Sequence, residues 1–451
     1  QWVPAEGGAP RELTVVDRTR ETGHRLPRVL PGGRAILFTA MPLAFGVEAR
    51  IEAFSPATGE RKVVVEDAAD ARYLPTGHLV FAQQGVLMAA PFDLTRLELT
   101  APPVPVVKGV SQALGDGGGA ALNSGAGQFA VADSGLLAYA PGGIYERRPI
   151  ELLLVGESGR VEPLPGFGRP LVAPQGHFSP DGHTLAFVES LPGGLLWLFD
   201  LRRHTYRALS NEGHAGCPRW SPDGERLVVS WTEGGPFHLW MMPTGSGEKV
   251  RLTDGEHHDL APSWGPDGRV LAFVRGYLGS EDILLYQSED RRIVPFLATK
   301  ARESHPEFSP DGRWLAYTSD ESGRAEVYVT SFPDREQTLT VSRGGGMAPS
   351  WSRDAQRLFY HSLESPDGPP SMMTVPVRHG SQLSLGQTTT LFRLPDGFVA
   401  NNPMRGYELH PDGRRFLIGR WAKTEPPSPI TRLHLVHNWF AELERLVPIE
   451  R

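Results

Sequence analysis

Residues able to ligate a metal or to move a proton lie in three short segments in the middle of the chain. They are four histidines and two acidic residues: His214, His257, His258, Asp259, Glu303 and His305. Zinc, iron and manganese accept neutral imidazole and carboxylate ligands, and a metal with an open coordination position can activate water for hydrolysis. We therefore expect the histidines to be metal ligands and Asp259 or Glu303 to orient or deprotonate the water.

Only the fold can bring these residues together, because they are distant along the chain. His214 and His258 stand at the same distance before the aromatic residue of two successive repeats, and His305 stands three residues closer to its own. His177 precedes the aromatic residue of an earlier repeat. The competing interpretation is that these histidines bond backbone carbonyls or line a water-filled channel.

Motifs of other enzyme classes are absent from the sequence. It contains no Gly-x-Ser-x-Gly nucleophile elbow, no His-Glu-x-x-His helix, no phosphate-binding Gly-x4-Gly-Lys loop and no dinucleotide fingerprint. The single cysteine, Cys217, rules out an intramolecular disulfide and a zinc site made of several cysteines.

A repeated turn motif organises the elements that must position these residues. An aromatic residue, a serine or glycine, and Pro-Asp-Gly follow one another in each copy. Complete copies lie at 178–182, 220–224, 264–268 and 308–312, with degenerate copies at 351–355 and 409–413. Proline fixes φ, the aspartate side chain bonds back to the turn, and glycine accepts a positive φ. The glycines of the complete copies recur every 42 to 44 residues, the period of a four-stranded propeller blade.

The segments between the turns have the pattern of short strands. Apolar runs such as 185–188 and 271–274 follow the turns, and runs of this kind are typical of buried strands. The sequence therefore predicts an all-β protein, a β-propeller of four-stranded blades. We expect one ring of about eight blades, within limits of six to nine. It would be closed by pairing the C-terminal strand 431–436 with the N-terminal segment 11–16.

The turn signals, some of them weak, divide the whole chain into nine repeat units. We expect residues 1–451 to form a single β-propeller. The expected units are 24–67, 68–117, 118–168, 169–212, 213–255, 256–299, 300–344, 345–397 and 398–451, with 1–23 added to the last. Nine units exceed the four to eight blades of most propellers, which indicates an incomplete unit, an unusually large ring or two rings.

Charge and hydropathy argue against two classes of partner. The net charge is −7, so the chain has no basic field with which to bind the phosphates of a nucleic acid. No run of eighteen apolar residues occurs, so we predict no membrane segment in this chain. The N-terminal sequence has neither an initiator methionine nor a signal-peptide pattern, and we interpret it as a processed or truncated start.

The aromatic-Ser-Pro-Asp-Gly repeats resemble those of the TolB-like (WD40-like, PD40) β-propellers of bacteria. Nearly the whole chain is also similar to the propeller region that follows the kinase domain and membrane helix of many bacterial serine/threonine kinases. The sequences that carry this second resemblance lie at 30–34, 71–75, 88–93, 317–329 and 438–439. The His-Arg-Asp and Asp-Phe-Gly motifs of kinases are missing, so phosphotransfer is not implied. The resemblance implies a periplasmic or otherwise extracytoplasmic bacterial sensor, tethered to a kinase domain in a longer parent protein.

Three functions are compatible with these patterns, and one of them is a purely structural scaffold within a larger assembly. The first is a sensor or binding module that takes a small-molecule or protein ligand at the mouth of the central channel. The alternative is a metal-dependent hydrolase of esters, lactones or phosphoesters, with zinc or manganese in a histidine-lined channel site. The first requires no motif for covalent chemistry, whereas the second requires the histidines to converge.

Overall fold

A computed structural model describes most of the chain. The described residues are 2–3, 6–17, 21–42, 49–114, 124–144, 149–169, 171, 176–189, 194–233, 235–276, 279, 281–363, 370–380, 382–400, 405–423 and 430–449. Contacts between Cα atoms divide the chain into two compact units. Unit 1 comprises Gln1–Arg148 and Thr424–Arg451, and unit 2 comprises Pro149–Lys423.

The first eleven strands belong to unit 1. They are β1 (Glu21–Val29), β2 (Ile36–Pro42), β3 (Arg50–Phe54), β4 (Arg61–Val65), β5 (Ala69–Tyr73), β6 (His78–Gln83), β7 (Val86–Asp93), β8 (Glu98–Leu99), β9 (Val104–Lys108), β10 (Phe129–Val131) and β11 (Leu137–Tyr139). A 3-10 turn, Pro31–Gly33, joins β1 to β2. Strands β1–β4 form one antiparallel sheet and β5–β9 the next, in which both β8 and β9 pair with β7. Strands β10 and β11 pair as a hairpin.

The next twenty-five strands belong to unit 2. The first half are β12 (Ile150–Gly156), β13 (Val161–Pro163), β14 (Gly176–Phe178), β15 (Thr184–Glu189), β16 (Leu195–Asp200), β17 (Thr205–Ala208), β18 (His214–Trp220), β19 (Arg226–Thr232), β20 (His238–Pro243), β21 (Val250–Arg251), β22 (Asp259–Trp264), β23 (Val270–Arg275) and β24 (Asp282–Gln287). The others are β25 (Arg292–Leu297), β26 (Glu303–Phe308), β27 (Trp314–Ser319), β28 (Glu326–Ser331), β29 (Thr338–Thr340), β30 (Gly346–Trp351), β31 (Arg357–Ser362), β32 (Ser371–Arg378), β33 (Ser384–Leu385), β34 (Thr389–Arg393), β35 (Tyr407–Leu409) and β36 (Arg415–Trp421).

These strands form six sheets that follow one another around a closed ring. Five are consecutive: β14–β17, β18–β21, β22–β25, β26–β29 and β30–β34. The sixth has the order β13-β12-β36-β35, so it joins the first strands of unit 2 to the last. Seven residue pairs, from Ile150 opposite Trp421 to Gly156 opposite Arg415, connect β12 to β36. Closure therefore takes place within unit 2, and the ring has six blades, the lower limit of the expected range, rather than about eight.

The core of unit 2 lies between neighbouring sheets. Six apolar clusters fill the six interfaces of the ring, two of them on either side of the closing sheet. The second strand of a blade is buried on both faces; in β23, all four residues from Leu271 to Val274 are inaccessible to solvent. Complete burial of one such side chain stabilises the fold by roughly 1.5–3 kcal/mol. The apolar runs predicted as buried strands have this position.

The C-terminal segment completes a sheet of unit 1. Strand β37 (His434–Val436) pairs with β11, and helix α1 (Trp439–Leu446) buries Trp439 and Leu443 in the core of that unit. The predicted pairing of 431–436 with 11–16 is therefore wrong. Strand β37 occupies the edge of β11 that β10 leaves open, and the Tyr139 hydroxyl lies 3.0 Å from Nδ1 of His434. The assignment of residues 1–451 to a single propeller and its nine unit boundaries stay predictions.

Candidate functional site: the mouth of a polar channel

In each sheet of unit 2 we call the edge strand that precedes the repeat turn the inner strand; the inner strands are β14, β18, β22, β26, β30 and β35. Four of them share a bulge that sets the direction of the side chains after it. The antiparallel register shifts once in each of β18, β22, β26 and β30. At that point the residue before a proline has a φ of 47° to 55°; these residues are Cys217, Ala261, His305 and Ala348. Each inner strand is the edge of its sheet, where a proline is tolerated. Because a bulge adds one residue, the alternation of side chains between the two faces shifts by one after it.

One polar side chain from the inner strand of each sheet, together with the apolar or aromatic residue after it, lines a single cavity of about 290 Å³. The polar side chains stand directly before the last residue of their strands: His177, Arg219, Ser263, Glu307, Ser350 and Glu408. The repeat turns surround them, with Pro180, Pro222, Pro310 and Pro411 at the rim. Since all six sheets contribute, the cavity lies at the axis of the ring, and we call it the channel mouth.

Two arginines and two glutamates pair across the channel mouth. One terminal guanidinium nitrogen of Arg219 donates to Glu408 at 3.1 Å, and the other lies 3.9 Å from Glu307. Arg405 stands two residues before the inner strand β35. Its guanidinium lies 2.7 Å from Glu307 and donates to the carbonyl of Pro306 at 2.9 Å. The four charges cancel and link three of the six sheets.

The imidazole of His177 supports one of these glutamates. Its Nδ1 accepts the backbone N–H of Trp220 at 3.3 Å, so the ring proton lies on Nε2, which donates to Glu408 at 3.1 Å. Burial alone would raise the pKa of Glu408, but His177, Arg219 and Arg405 outweigh it and hold the pKa at about 2. Glu408 is therefore ionised at neutral pH.

Arg353 differs from the other arginines of the mouth. It occupies the position that proline holds in the complete copies of the turn, and it is exposed. Its guanidinium donates to the carbonyl oxygens of Pro180 at 2.9 Å and of Pro411 at 3.2 Å, which belong to the turns of two other sheets. Carbonyl oxygens carry no formal charge, so these contacts leave the positive charge of Arg353 uncompensated.

The histidines predicted as metal ligands have individual environments. His258 and His305 are buried, His214 is half-buried and His257 is exposed. Nδ1 of His258 accepts the backbone N–H of Phe237 at 3.2 Å, and Nδ1 of His305 lies 3.0 Å from the Ser304 hydroxyl. Burial lowers the pKa of His214.

The two predicted catalytic carboxylates are buried and have protein partners. Asp259 forms a two-point ion pair with Arg275 at 2.8 and 3.1 Å. Burial would raise the pKa of Asp259, but the His238 imidazole, 3.9 Å away, and the hydrogen bonds from Arg275 outweigh it and lower the pKa. Glu303 accepts a hydrogen bond from Thr299 at 2.5 Å, and burial raises its pKa.

These six residues all lie in the described part of the chain. Within that part, no group of three or more His, Cys, Asp and Glu side chains is arranged to hold a metal ion. The zinc or manganese site and the catalytic roles of Asp259 and Glu303 therefore stay predictions without geometric support.

Sequence reasoning missed most of the channel mouth. Of the six polar side chains that the inner strands supply to it, only His177 was considered as a site residue. A signal was present, because the four bulged strands share one pattern of any residue, proline, a polar residue and an aromatic residue, at 217–220, 261–264, 305–308 and 348–351. The polar residue of this pattern lines the channel mouth, together with the aromatic residue that follows it.

The turn motif and the six-bladed ring have a counterpart among known protein families. The model of the TolB β-propeller domain matches residues 162–293 and 256–390, which together span half of the chain. The chain belongs to the TolB β-propeller family. No curated protein matches the sequence of this TolB-like propeller. Within its described residues, no helix has the length and apolarity needed to cross a membrane.

Solved structures share the fold of the TolB-like propeller. TolB from Agrobacterium tumefaciens is 19% identical with a TM-score of 0.50, and the match covers 62% of this chain and 100% of that one. TolB from Acinetobacter baumannii is 14% identical with a TM-score of 0.40, covering 83% and 77%. An oligogalacturonate lyase from Vibrio parahaemolyticus is 15% identical with a TM-score of 0.33, covering 81% and 93%. The family match and the first of these structures confirm the predicted β-propeller fold, and the kinase-linked resemblance stays a prediction.

Proposed function

We propose that this TolB-like propeller is a sensor or binding module whose ligand, a small molecule or a segment of a protein, occupies the channel mouth. The observation that carries the proposal is the convergence of one inner-strand side chain from each of six sheets on one cavity. A concave site with a few convergent polar groups is the usual form of a ligand site.

The supports of the channel mouth favour a preformed site. The indole N–H of Trp220 donates to the carbonyl of His177 at 3.0 Å, and that of Trp351 donates to the carbonyl of Glu307 at 3.2 Å. Each bond connects the inner strands of two neighbouring sheets, so the lining residues are held in place before a ligand arrives. A ligand then loses less binding free energy to ordering of the protein.

We also infer an extracytoplasmic location in a bacterium, which membership of the TolB family supports. Fractionation of bacterial cells that produce the natural full-length protein tests this inference. We expect the propeller in the periplasmic or extracytoplasmic fraction, and its recovery with the cytoplasmic enzymes would contradict the inference.

A variant that fills the channel mouth tests the proposed function. Pro310 is exposed at the rim, and Arg353 shows that a long side chain fits the same position of a turn. We therefore expect Pro310→Trp to fold and to obstruct the cavity. Ser288→Trp, at an exposed turn outside the cavity lining, is the matched control.

Saturation-transfer NMR with a mixed set of small acids, amines, neutral sugars and short peptides provides the measurement. We expect at least one class to bind the wild type and Ser288→Trp, and to lose its signal with Pro310→Trp. Circular dichroism and the urea midpoint verify that both variants are folded. Binding that is indifferent to Pro310→Trp, or the absence of binding by every class, would contradict the proposal.

A further inference from the structure

The charged side chains that line the channel mouth, together with Arg405 beside it, leave an excess of one positive charge. Arg219 and Arg405 are matched by Glu307 and Glu408, so these four cancel. Arg353 adds a fifth charge, and its hydrogen bonds go to uncharged carbonyl oxygens. The chain as a whole carries a net charge of −7, so the excess of positive charge is a local feature of the cavity and its supports.

The aspartates of the repeat turns are engaged within their own turns. Asp181 accepts the Ser179 hydroxyl at 2.5 Å and the backbone N–H of His183 at 2.9 Å. Asp354 accepts the Ser352 hydroxyl at 2.6 Å and a backbone N–H at 3.0 Å. Neither side chain lines the cavity. An anion in the cavity can therefore contact Arg353 without contacting the carboxylates of these two turns.

We propose that the channel mouth binds a small organic anion through a carboxylate or phosphate group that Arg353 contacts. This inference rests on the proposed function and specifies its ligand class. A guanidinium has five N–H donors in a planar fork, and two of its nitrogens already hold the carbonyls of Pro180 and Pro411. The remaining donors match the geometry of a carboxylate or phosphate.

A cationic ligand is disfavoured by the same geometry. Glu307 and Glu408 are the carboxylates that line the cavity, and each is already paired with an arginine. An amine would have to displace Arg219 or Arg405 and leave a guanidinium uncompensated inside the channel. Breaking a buried ion pair in this way costs several kcal/mol in other proteins. An anion leaves both pairs intact.

Calorimetric titration at constant ionic strength tests the ligand class. The probes are succinate and inorganic phosphate, with succinamide and 1,4-diaminobutane as the neutral and cationic counterparts of succinate. We expect succinate or phosphate to bind at least about tenfold more tightly than both counterparts, because hydrogen bonds to charged groups are the stronger kind. The tighter of the two anions identifies the group that the site prefers.

Substitution of Arg353 tests its direct contact with the anion. We expect Arg353→Gln to weaken the anion by about tenfold or more. Arg353→Lys keeps the charge but not the fork, so it should restore phosphate binding better than succinate binding. Arg292→Gln, at an exposed arginine outside the cavity lining, should leave both affinities unchanged. A merely structural role of Arg353 would shift the urea midpoint of Arg353→Gln, which we expect to equal that of the wild type.

The outcomes separate this inference from the proposed function. If neutral or cationic ligands bind as tightly as the anions, or if Arg353→Gln binds the anions unchanged, the inference is overturned. In that case a ligand that is still lost with Pro310→Trp leaves the channel mouth as a binding site of another ligand class. If Pro310→Trp affects no ligand, the proposed function fails together with the inference.

Discussion

The two units place the same position of the repeat turn in different surroundings. In unit 2 the residue that ends the inner strand is buried in most blades; Trp220 and Phe308 are each 7% exposed. In unit 1 the corresponding residue two positions before Pro31 is Val29, which is 69% exposed, and the one two positions before Pro75 is Tyr73, which is half-buried. In a closed ring every sheet has a neighbour on both faces, so an aromatic residue at this position is covered. This position is therefore covered most fully in the blades of unit 2, which carry the complete turn motif.

The strands that join distant parts of the chain differ in the same way. Strand β36 pairs with β12 over seven residues, and Phe416 and Ile418 are fully buried. Strand β37 pairs with β11 over three residues, and Leu435 is 57% exposed. The closing sheet of unit 2 therefore contributes far more buried apolar surface than the C-terminal strand of unit 1.

The largest expected effect comes from truncating the closing strand. Phe416→Ala removes a fully buried ring that packs on Phe359, and we expect it to lower the free energy of unfolding by about 3–5 kcal/mol. Leu435→Ala in β37 should lower it by less than about 0.5 kcal/mol, since its side chain is largely in solvent. Urea unfolding followed by tryptophan fluorescence gives both values. Equal losses would contradict the difference between the two strands.

Acid titration compares the stability of the two units, because each contains an ion-paired carboxylate of very low pKa. Burial would raise the pKa of Glu21 in unit 1, but hydrogen bonds from His24 and Arg61 outweigh it and lower the pKa to about 2. Glu408 in unit 2 has a pKa of about 2 as well. A carboxylate whose pKa is lower in the folded state stabilises the protein above its unfolded pKa. This stability is lost as the pH falls from the usual value of 4.5 towards 2.

We expect each of these carboxylates to contribute up to about 3 kcal/mol that disappears in this pH window. Glu21→Gln and Glu408→Gln should each flatten the dependence of the urea midpoint on pH between 5 and 3. Glu442→Gln, at a surface pair with Arg445, is the control and should keep the wild-type slope. A wild-type protein whose midpoint is constant across this window would contradict the account.

The smallest effect concerns the turn glycines. Ala355 occupies the glycine position of its repeat with a φ of 56°, whereas Gly182 has a φ of 72° in a complete copy. A positive φ is strained for alanine and ordinary for glycine. We expect Ala355→Gly to stabilise the protein by about 0.5–1 kcal/mol and Gly182→Ala to destabilise it by about 1 kcal/mol. Matched urea titrations should show a higher free energy of unfolding for Ala355→Gly and a lower one for Gly182→Ala. A lower value for both variants would contradict this expectation.

The sequence predicts the blades of unit 2 well, because their turns depend on local chemistry. Proline, aspartate and glycine at fixed positions define a turn without reference to distant residues, and an apolar run after it defines a buried strand. Ring closure depends on pairing between 150–156 and 415–421, which no local motif reports. We expected the ring to be closed by pairing of 431–436 with 11–16, and that prediction was wrong.

The candidate site was harder to predict because the inner strands are bulged. Counting residues back from the aromatic position assumes regular alternation, and the extra residue at Cys217 or Ala261 shifts that alternation by one. His214 and His258 share an offset but lie before the bulge, whereas Arg219 lies after it and lines the cavity.

A crystal structure of the protein, grown with an anion that binds in the calorimetric titration, shows whether the channel mouth is the ligand site. We expect electron density for that anion in the channel mouth, beside the guanidinium of Arg353 and within reach of the side chains that the six inner strands supply. A channel mouth without the anion, in crystals that hold it at another surface, would contradict the account.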